Sequence, residues 1–180
     1  MSKTEPLKKL KPIDFEIISE LIKNPRLSDR QAAKKLGISQ PTITRRRTEL
    51  EKERLLDYTS IPDLAKLGFE ILAITFGNRA AHPQHAELQI QKAKDFIERH
   101  PNLIFVSSGI GVNSDRVVIS IHKNFGDYMK LQQEIRQDWG NVMAVAGSFI
   151  ISLASDSILR NLTFKYLAES VKKEHVQKKT

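Results

Sequence analysis

Two hydrophobic periodicities divide the chain into two halves. Over residues 12–60 the apolar side chains recur three and four positions apart, which is the spacing of amphipathic helices. Beyond residue 68, short apolar runs typical of strands alternate with two helical stretches. The predicted elements of this second half are a strand at 69–76, a helix at 83–100, strands at 103–108 and 116–122, a helix at 125–139 and a strand at 142–153. The order β-α-β-β-α-β predicts a ferredoxin-like α+β sandwich.

The first half has the pattern of three helices. A helix is predicted over 12–23, where Ile13, Ile17 and Leu21 share one face and an Asn-Pro pair marks the end. Residues 28–54 then predict two short helices joined at a tight corner. We expect the first helix to pack behind these two and complete a three-helix unit.

The corner between the second and third helices has the signals of a helix-turn-helix. Ser28 and Gln31 have the spacing of a capping box at the start of the second helix. Gly37 stands where a left-handed residue ends a helix. Ser39 is placed to cap the third helix, and Pro41 lies in its first turn, where a missing N–H costs nothing. The pattern therefore predicts a DNA-binding unit whose third helix faces a groove.

The exposed face of this third helix carries hydrogen-bonding and cationic side chains. The candidate DNA-binding residues are Ser39, Gln40, Thr42, Thr44, Arg45, Arg46 and Arg47. Side chains of these types bind base edges and phosphates. The alternative is a structural helical hairpin with a solvated arginine face, because capped amphipathic helices also occur in proteins that never bind DNA.

The predicted fold class is a two-domain α/β protein. It has an N-terminal three-helix helix-turn-helix domain, a C-terminal ferredoxin-like sandwich and an extra C-terminal helix. The expected division is a disordered basic arm at 1–9, the DNA-binding domain at 10–60, a linker at 61–68, a ferredoxin-like dimerisation and effector-type domain at 69–155, and a C-terminal helix with a basic tail at 156–180. Residues 55–61 have strand character, and the tail helix is predicted over roughly 157–173.

The strands of the second half are apolar on both faces. In the first strand Ile71 and Ala73 alternate with Leu72 and Ile74. An antiparallel sheet that is covered by helices on one side normally shows polar residues on the other. We therefore expect a second copy of the chain to cover the open face, giving a homodimer and possibly higher oligomers. The rival is that the tail helix folds back over this face; otherwise we expect the tail to add dimer contacts.

Composition and charge narrow the class of protein. The chain has 180 residues, a formal net charge of +8 and no cysteine. Residues 1–60 carry 14 Lys and Arg against 9 Asp and Glu, residues 61–155 carry 9 against 9, and residues 156–180 carry 6 against 3. A basic N-terminal segment followed by a neutral central segment indicates that the N-terminal segment binds a polyanion. No apolar run approaches the roughly 20 residues of a membrane span, so we expect a cytoplasmic location.

Three stretches together resemble the leucine-responsive/asparagine-synthetase (Lrp/AsnC) family of transcription regulators. They are LKPIDFEIISEL, the segment RLSDRQAAKKLGISQPTITRRRTELEKERLLDYTSIPDLAKLGF, and the β-α-β-β-α-β body, and they span residues 10–155. The resemblance implies a sequence-specific regulator that dimerises through the sheet face and often binds an amino acid between dimers. The C-terminal helix lies outside it.

The resemblance also assigns roles on the third helix. Arg46 matches a family arginine and is implied to contact a phosphate. Gln40 and Thr42 lie near the start of the helix, which enters the major groove first, so we expect them to meet base edges. Arg45 could do either. Arg47 stands where the family has an apolar residue, and we expect its stem to pass the edge of the core and reach a phosphate.

The family's effector motif resembles Gly-x-x-Asp followed by apolar residues. This chain has Gly111 and Asp115 with three residues between them, which is one more than the motif. The extra residue would displace the carboxylate, so inherited amino-acid specificity is not expected. Gly111 and Asp115 remain the candidate effector residues, against the alternative of a plain hairpin turn.

Other chemistry is not indicated. His82 and His85 form a short pair without nearby Cys or clustered acids, so neither a metal site nor a cofactor is expected. No phosphate-binding loop, nucleophile elbow or paired catalytic carboxylates are present, and the chain is not expected to be an enzyme. Two alternatives remain to a sequence-specific regulator. One is an architectural DNA-compacting protein, and the other is an enzyme like the tetrapyrrole decarboxylases that resemble this layout.

Overall fold

The chain folds as two units, and the first is built from two separate stretches of the sequence. The first unit contains residues up to 61 together with residues from 160 onward, and the second contains residues 62–159. The computed structural model describes residues 10–79, 86–140, 142–154, 156 and 158–177. The predicted basic arm at 1–9 and the pair His82 and His85 lie outside these residues.

Three helices of the first unit enclose a small apolar core. They are α1 (Pro12–Lys23), α2 (Asp29–Leu36) and α3 (Gln40–Lys52). The buried core residues are Ile17, Leu21, Ala32, Ala33, Ile43 and Leu50. The two alanines let α2 cross close to its neighbours because they have short side chains. The predicted helix-turn-helix is confirmed.

Residues 55–61 do not form the predicted strand. This segment has no regular secondary structure and pairs with no strand of the described chain. Arg54 reaches the left-handed region with φ 55° and turns the chain away from α3. The segment is instead held by side chains, as described below.

The second unit is a four-stranded antiparallel sheet with two helices. Its elements are β1 (Ile71–Arg79), α4 (Ala86–Arg99), β2 (Leu103–Gly111), β3 (Ser114–His122), α5 (Phe125–Asp138) and β4 (Met143–Ser152). The strand order is β2-β3-β1-β4, and each neighbouring pair is antiparallel. The predicted ferredoxin-like order is confirmed. Strand β2 is longer than expected because the turn after it takes only two residues.

The core of this unit lies between the sheet and the two helices. It consists of Phe96, Leu103, Val118, Leu131, Ile135, Trp139 and Met143. The rings of Phe96 and Trp139 stack with centroids 5.1 Å apart. Asn124 begins α5, since its side-chain oxygen accepts the N–H of Asp127 at 2.9 Å.

The opposite face of the sheet carries a row of apolar side chains that crosses all four strands. The register pairs Phe105 with Ile119, Ile119 with Ile74, and Ile74 with Phe149. At the ends of the row, Phe149 is 65% exposed and Phe105 is 50% exposed. Strands with two apolar faces were predicted, and these strands have them.

The tail forms a shorter helix than predicted, and it packs in the first unit. Helix α6 (Ala168–Gln177) follows a 3-10 turn at Lys165–Leu167 and lies against α1. The predicted start near residue 157 is wrong. Residues 159–164 bury little apolar surface, and the first buried side chain of the tail is Ala168. The rival prediction that the tail covers the open sheet face is also wrong, because α6 packs on α1.

Candidate DNA interface

The turn between α2 and α3 has the capping geometry that the sequence predicts. The Ser28 hydroxyl accepts the N–H of Gln31 at 3.3 Å, and the Gln31 side chain accepts the N–H of Ser28 at 3.0 Å. Gly37 has φ 68°, in the left-handed region that favours glycine. Ser39 begins α3, but its hydroxyl bonds the hydroxyl of Thr42 at 2.8 Å and not a backbone N–H.

The start of α3 presents free polar groups to solvent. Ser39 and Gln40 are exposed, while Thr42 is half-buried with its hydroxyl paired to Ser39. Thr44 is exposed, but its hydroxyl already has a hydrogen-bond partner within the protein, since it donates to Asp29 Oδ2 at 2.7 Å. The first turn of α3 therefore offers an amide and a pair of hydroxyls, which are groups that can read base edges.

The three consecutive arginines of α3 have three different environments. Arg45 points outward with a side chain that is 61% exposed, and its ion pair with Glu49 is long, at 3.4 Å. Surface pairs of this kind hold their side chains weakly. Arg45 is therefore the arginine of this group whose guanidinium is available to a phosphate or a base.

Arg46 is turned into the unit, where it binds a buried carboxylate on α1. Its Nε donates to Asp14 Oδ1 at 2.6 Å, its Nη2 donates to Asp14 Oδ2, and its Nη1 donates to Glu49. Asp14 is fully buried, and the Arg46 side chain is 11% exposed. Asp14 also accepts the N–H of Lys11, which starts α1. The hydrogen bond to Asp14 raises the pKa of the Arg46 guanidinium further.

Arg46 connects two helices of the first unit. Its fork-shaped guanidinium joins α1 to α3 by two parallel hydrogen bonds, which set the angle between the two helices. The family resemblance implies that Arg46 contacts a phosphate. In this structure a phosphate would have to compete with the Asp14 and Glu49 carboxylates for the Arg46 guanidinium.

Arg47 forms hydrogen bonds that connect the segment at residues 55–61, which follows α3, to the rest of the unit. Its Nη1 donates to the Leu27 carbonyl at 3.0 Å and to Asp29 at 3.2 Å, and its Nε donates to Tyr58 Oη at 2.9 Å. The guanidinium also lies over the Tyr58 ring, 5.1 Å from its centroid. The stem does pass the edge of the core, but the head is bound to the protein. Arg47 thus ties the start of α2 to the segment at 55–61.

Tyr58 completes this cluster. Its hydroxyl donates to Glu51 Oε1 at 2.7 Å. Burial and that hydrogen bond raise the pKa of Tyr58 to about 12, against the opposing effect of Arg47. The phenol therefore stays protonated across the physiological range and keeps its donor for Glu51.

Sequence reasoning missed four residues that build this interface. Asp14, Asp29, Glu51 and Tyr58 orient the arginines without being candidates themselves. The available signal was the acidic residues Glu49, Glu51 and Glu53 that follow the arginines along the chain. Glu49 stands four residues after Arg45 and Glu51 stands four residues after Arg47, which is the spacing of ion pairs on a helix. The pairing with Asp14 spans 32 residues, so local spacing could not reveal it.

The candidate effector turn is a tight hairpin. Val112 and Asn113 form a two-residue connection with φ 53° and 51°, and Gly111 pairs with Ser114. The Asp115 carboxylate accepts the N–H of Arg79 on β1 at 2.8 Å. The register of β2 against β3 shifts by one residue between Ser108 and Gly111, just before this turn, and the Asp115 carboxylate is bound to the neighbouring strand.

Ser120, His122 and Asp127 have the residue types of a hydrolase site, but the serine and the histidine lack its access. His122 Nε2 lies 2.8 Å from Ser120 Oγ, and His122 Nδ1 lies 3.6 Å from Asp127 Oδ2. Ser120 and His122 are fully buried, whereas Asp127 is exposed. A nucleophile with no exposed surface cannot reach a substrate, so the Ser120–His122 pair is a structural feature of the core.

His122 should make folding sensitive to mild acid. Burial lowers its pKa below the ordinary 6.5, although Asp127 acts in the opposite direction. The unfolded chain then binds the proton more tightly, so stability should be retained above pH 6.5 and fall as the pH drops below it. We expect His122→Gln to lose less stability than the wild type between pH 7.5 and 5.5, as measured by urea unfolding. His100→Gln is the control for replacing a histidine elsewhere in this unit. An equal loss of stability in the wild type and in His122→Gln would contradict the expectation.

Three comparisons place the chain among known proteins. Residues 10–56 match the model of the winged helix-turn-helix DNA-binding family. The chain is 35% identical to the transcriptional regulator LrpC of Bacillus subtilis over 98 residues, which are 54% of this chain and 64% of LrpC. It is 36% identical to an uncharacterised helix-turn-helix regulator of Pyrococcus abyssi over 64 residues, which are 35% of this chain and 43% of that protein.

Solved structures match over a longer span. The structure of B. subtilis LrpC superposes with a TM-score of 0.65 at 23% identity, covering 84% of this chain and 99% of that chain. An AsnC-family transcriptional regulator from Agrobacterium tumefaciens superposes with a TM-score of 0.68 at 15% identity, covering 88% and 99%. The fold is therefore the helix-turn-helix and sandwich architecture of the Lrp/AsnC regulators. In sequence, the chain is similar to LrpC over less than two thirds of the length of LrpC, and its residues 10–56 match the winged helix-turn-helix model.

The described residues contain neither a membrane-spanning helix nor a metal-binding cluster. None of their helices is long and apolar enough to cross a membrane. Within the same residues, no three His, Asp or Glu side chains cluster in a way that could hold a metal ion.

Proposed function

We propose that this protein is a sequence-specific DNA-binding transcription regulator of the Lrp/AsnC type, with no catalytic role. The observation that carries the proposal is the start of α3, where exposed Gln40 and Arg45 project from a helix whose other side is fixed by buried ion pairs. A rigid helix with free polar groups at its N-terminal end is what major-groove readout requires. The similarity to LrpC over residues of both units supports the same function.

Within this proposal the residues of α3 divide into three groups. Gln40, with the Ser39 and Thr42 hydroxyls, contacts base edges. Arg45 contacts a phosphate or a base. Arg46 and Arg47 position the helix, and Thr44 has its hydroxyl committed to Asp29.

The functional form is a dimer built through the open sheet face. The apolar row from Phe105 to Phe149 supports this assembly, because a continuous exposed apolar patch on a sheet is typical of an interaction site. A symmetric dimer presents two α3 helices to two half-sites. Modulation by a small effector at Gly111 and Asp115 is the less supported part of the proposal, since the Asp115 carboxylate already has a backbone partner.

Two alternatives make different predictions. An architectural DNA-compacting protein would bind all sequences equally. An enzyme would use the body, where a groove of about 490 Å³ is lined by Arg99, His100, Lys123 and Lys130. Carboxylates already neutralise part of this groove, since His100 lies 2.8 Å from Glu134 and Arg99 lies 3.6 Å from Asp138. The groove is therefore a poor match for an acidic substrate.

The division of roles is tested by two matched substitutions. Gln40→Ala should relax the preference at one position of each half-site, with a loss of about 1–3 kcal/mol on the preferred base and little change on other sequences. Arg45→Ala should weaken binding to every sequence and reduce the salt dependence. Affinity is measured by fluorescence anisotropy on a panel of single-base variants of the selected site. Equal losses on specific and random DNA for both variants would refute the division.

A further inference from the structure

The C-terminal extension carries positive charge and folds onto the DNA-binding unit. Residues 1–61 and 160–180, which form the first unit, carry 20 Lys and Arg against 11 Asp and Glu. Residues 62–159 carry 9 against 10. The tail alone contributes six of the cations and two of the acids. The net positive charge of the protein therefore lies in the unit that contains the helix-turn-helix, and the tail supplies a large part of it.

The tail is anchored at a defined place on this unit. Ala168 is 1% exposed where α6 meets α1, and Glu169 forms an ion pair with Lys23 in the last turn of α1 at 2.5 Å. The hydrogen bond from Lys23 holds the pKa of the Glu169 carboxyl below its usual value. Lys23 in turn lies 3.4 Å from Glu20.

The chain of ion pairs continues to the helix that precedes the recognition helix. Glu20 also pairs with Lys35 on α2. Burial alone would raise the pKa of Glu20, but Lys35 and Lys23 outweigh burial and the net shift is downward. Lys35 stands two residues before Gly37 and five before Gln40. The first turn of α6 is thus connected, through three side-chain contacts, to the end of α2 that leads into the groove-facing start of α3.

The free cations of the tail lie around this anchor. Lys172 and Lys173 follow Glu169 by three and four residues, so they share its side of α6. Lys165 precedes it by one turn. All three are exposed, and no ion pair within 4 Å joins any of them to a described carboxylate, although Lys172 and Lys173 lie close enough to Glu169 to add to the effect of Lys23 on the pKa of its carboxyl. Exposed lysines that are not held by a close ion pair are suited to phosphate oxygens.

We propose that the C-terminal extension is a second DNA-contacting surface, in which Lys165, Lys172 and Lys173 bind the phosphate backbone beside the groove that α3 enters. The inference rests on the proposed function and adds a part to it. The contact is independent of sequence, because lysine ammonium groups bind phosphates as point charges. It should increase affinity and salt dependence without changing which site is preferred.

The test is the salt dependence of DNA binding by a triple variant, Lys165→Gln, Lys172→Gln and Lys173→Gln, in the full-length protein. Each lost phosphate contact should reduce the slope of log K against log salt concentration by about 0.9. We expect a slope smaller by about 1–3, a loss of affinity of similar size on specific and random DNA, and an unchanged order of preference among single-base site variants. The matched control is Lys92→Gln, Lys94→Gln and Lys130→Gln, which removes the same charge from exposed positions of the second unit.

The outcomes separate the inference from the function on which it rests. A slope that falls for the tail variant and not for the control supports the inference. A slope that is unchanged, or that falls equally in both variants, overturns it while sequence-specific binding still stands. A wild-type protein that binds no DNA overturns both. Far-UV circular dichroism and the melting temperature monitor folding, and the single variant Lys165→Gln, outside α6, repeats the slope measurement if the triple variant melts early.

Discussion

Replacing Arg46 with Ala is expected to destabilise the helix-turn-helix unit by about 3–5 kcal/mol, although Arg46 belongs to the helix that we propose to face DNA. The substitution leaves the Asp14 carboxylate fully buried with no cation beside it. It also removes the link between α1 and α3. An uncompensated buried charge costs more than the pair contributes, so the loss should exceed that of a surface ion pair. The measurement is urea unfolding monitored by circular dichroism.

The neighbouring arginine provides the matched control. Arg45→Ala removes the same side chain from an exposed position and should change stability by less than about 0.5 kcal/mol while weakening DNA binding. The double variant Arg46→Ala with Asp14→Ala should recover part of the lost stability, because the orphaned charge is gone. If Arg46→Ala lowered DNA affinity and left stability unchanged, Arg46 would be a phosphate contact and its assignment to positioning would be wrong.

Replacing Phe149 with Asp is expected to convert the proposed dimer to a monomer at micromolar concentration. Phe149 ends the apolar row on the open sheet face and is 65% exposed in the single chain. A carboxylate there would lose its water on association without gaining a partner. Because the two α3 helices then bind separately, affinity for a two-part site should fall by about 10²–10⁴-fold. Analytical ultracentrifugation and anisotropy titration measure the two effects.

A substitution at an exposed apolar residue outside the sheet tests whether the effect is specific to the open sheet face. Ile90 on α4 is 57% exposed, and Ile90→Asp makes the same change of chemistry on the helix layer. We expect this control to remain dimeric and to bind DNA normally. A Phe149→Asp protein that sedimented like the wild type would contradict assembly through the sheet face.

The local architecture could be predicted from the sequence because its signals are local. The capping box, the left-handed glycine and the proline of α3 lie within 14 residues, and each has one simple structural meaning. The sandwich order followed from alternating periodicities. The two-sided apolar character of the strands was also legible, since residues of opposite parity point to opposite faces.

The parts that were not predicted depend on contacts between residues far apart in the chain. Arg46 and Asp14 are separated by 32 residues, so the sequence showed two charges but not that they meet in the interior. Arg47 was expected to reach a phosphate, and only the fold brings Tyr58 against its guanidinium. The contact between the tail and α1 was not predicted for the same reason, because nothing in the sequence of the tail indicates that α1 is its partner. Residues 55–61 have strand composition, but a strand also needs a neighbour, and the described chain places none beside them.

Selection from genomic DNA shows whether α3 recognises a particular sequence. The purified protein is used to select fragments from a genomic DNA library at about 0.15 M salt, where non-specific phosphate binding is weakened. We expect recovery of a short two-fold symmetric site, with half-sites about one helical turn or a multiple of it apart. Uniform recovery of all fragments, or recovery of none, would contradict this expectation.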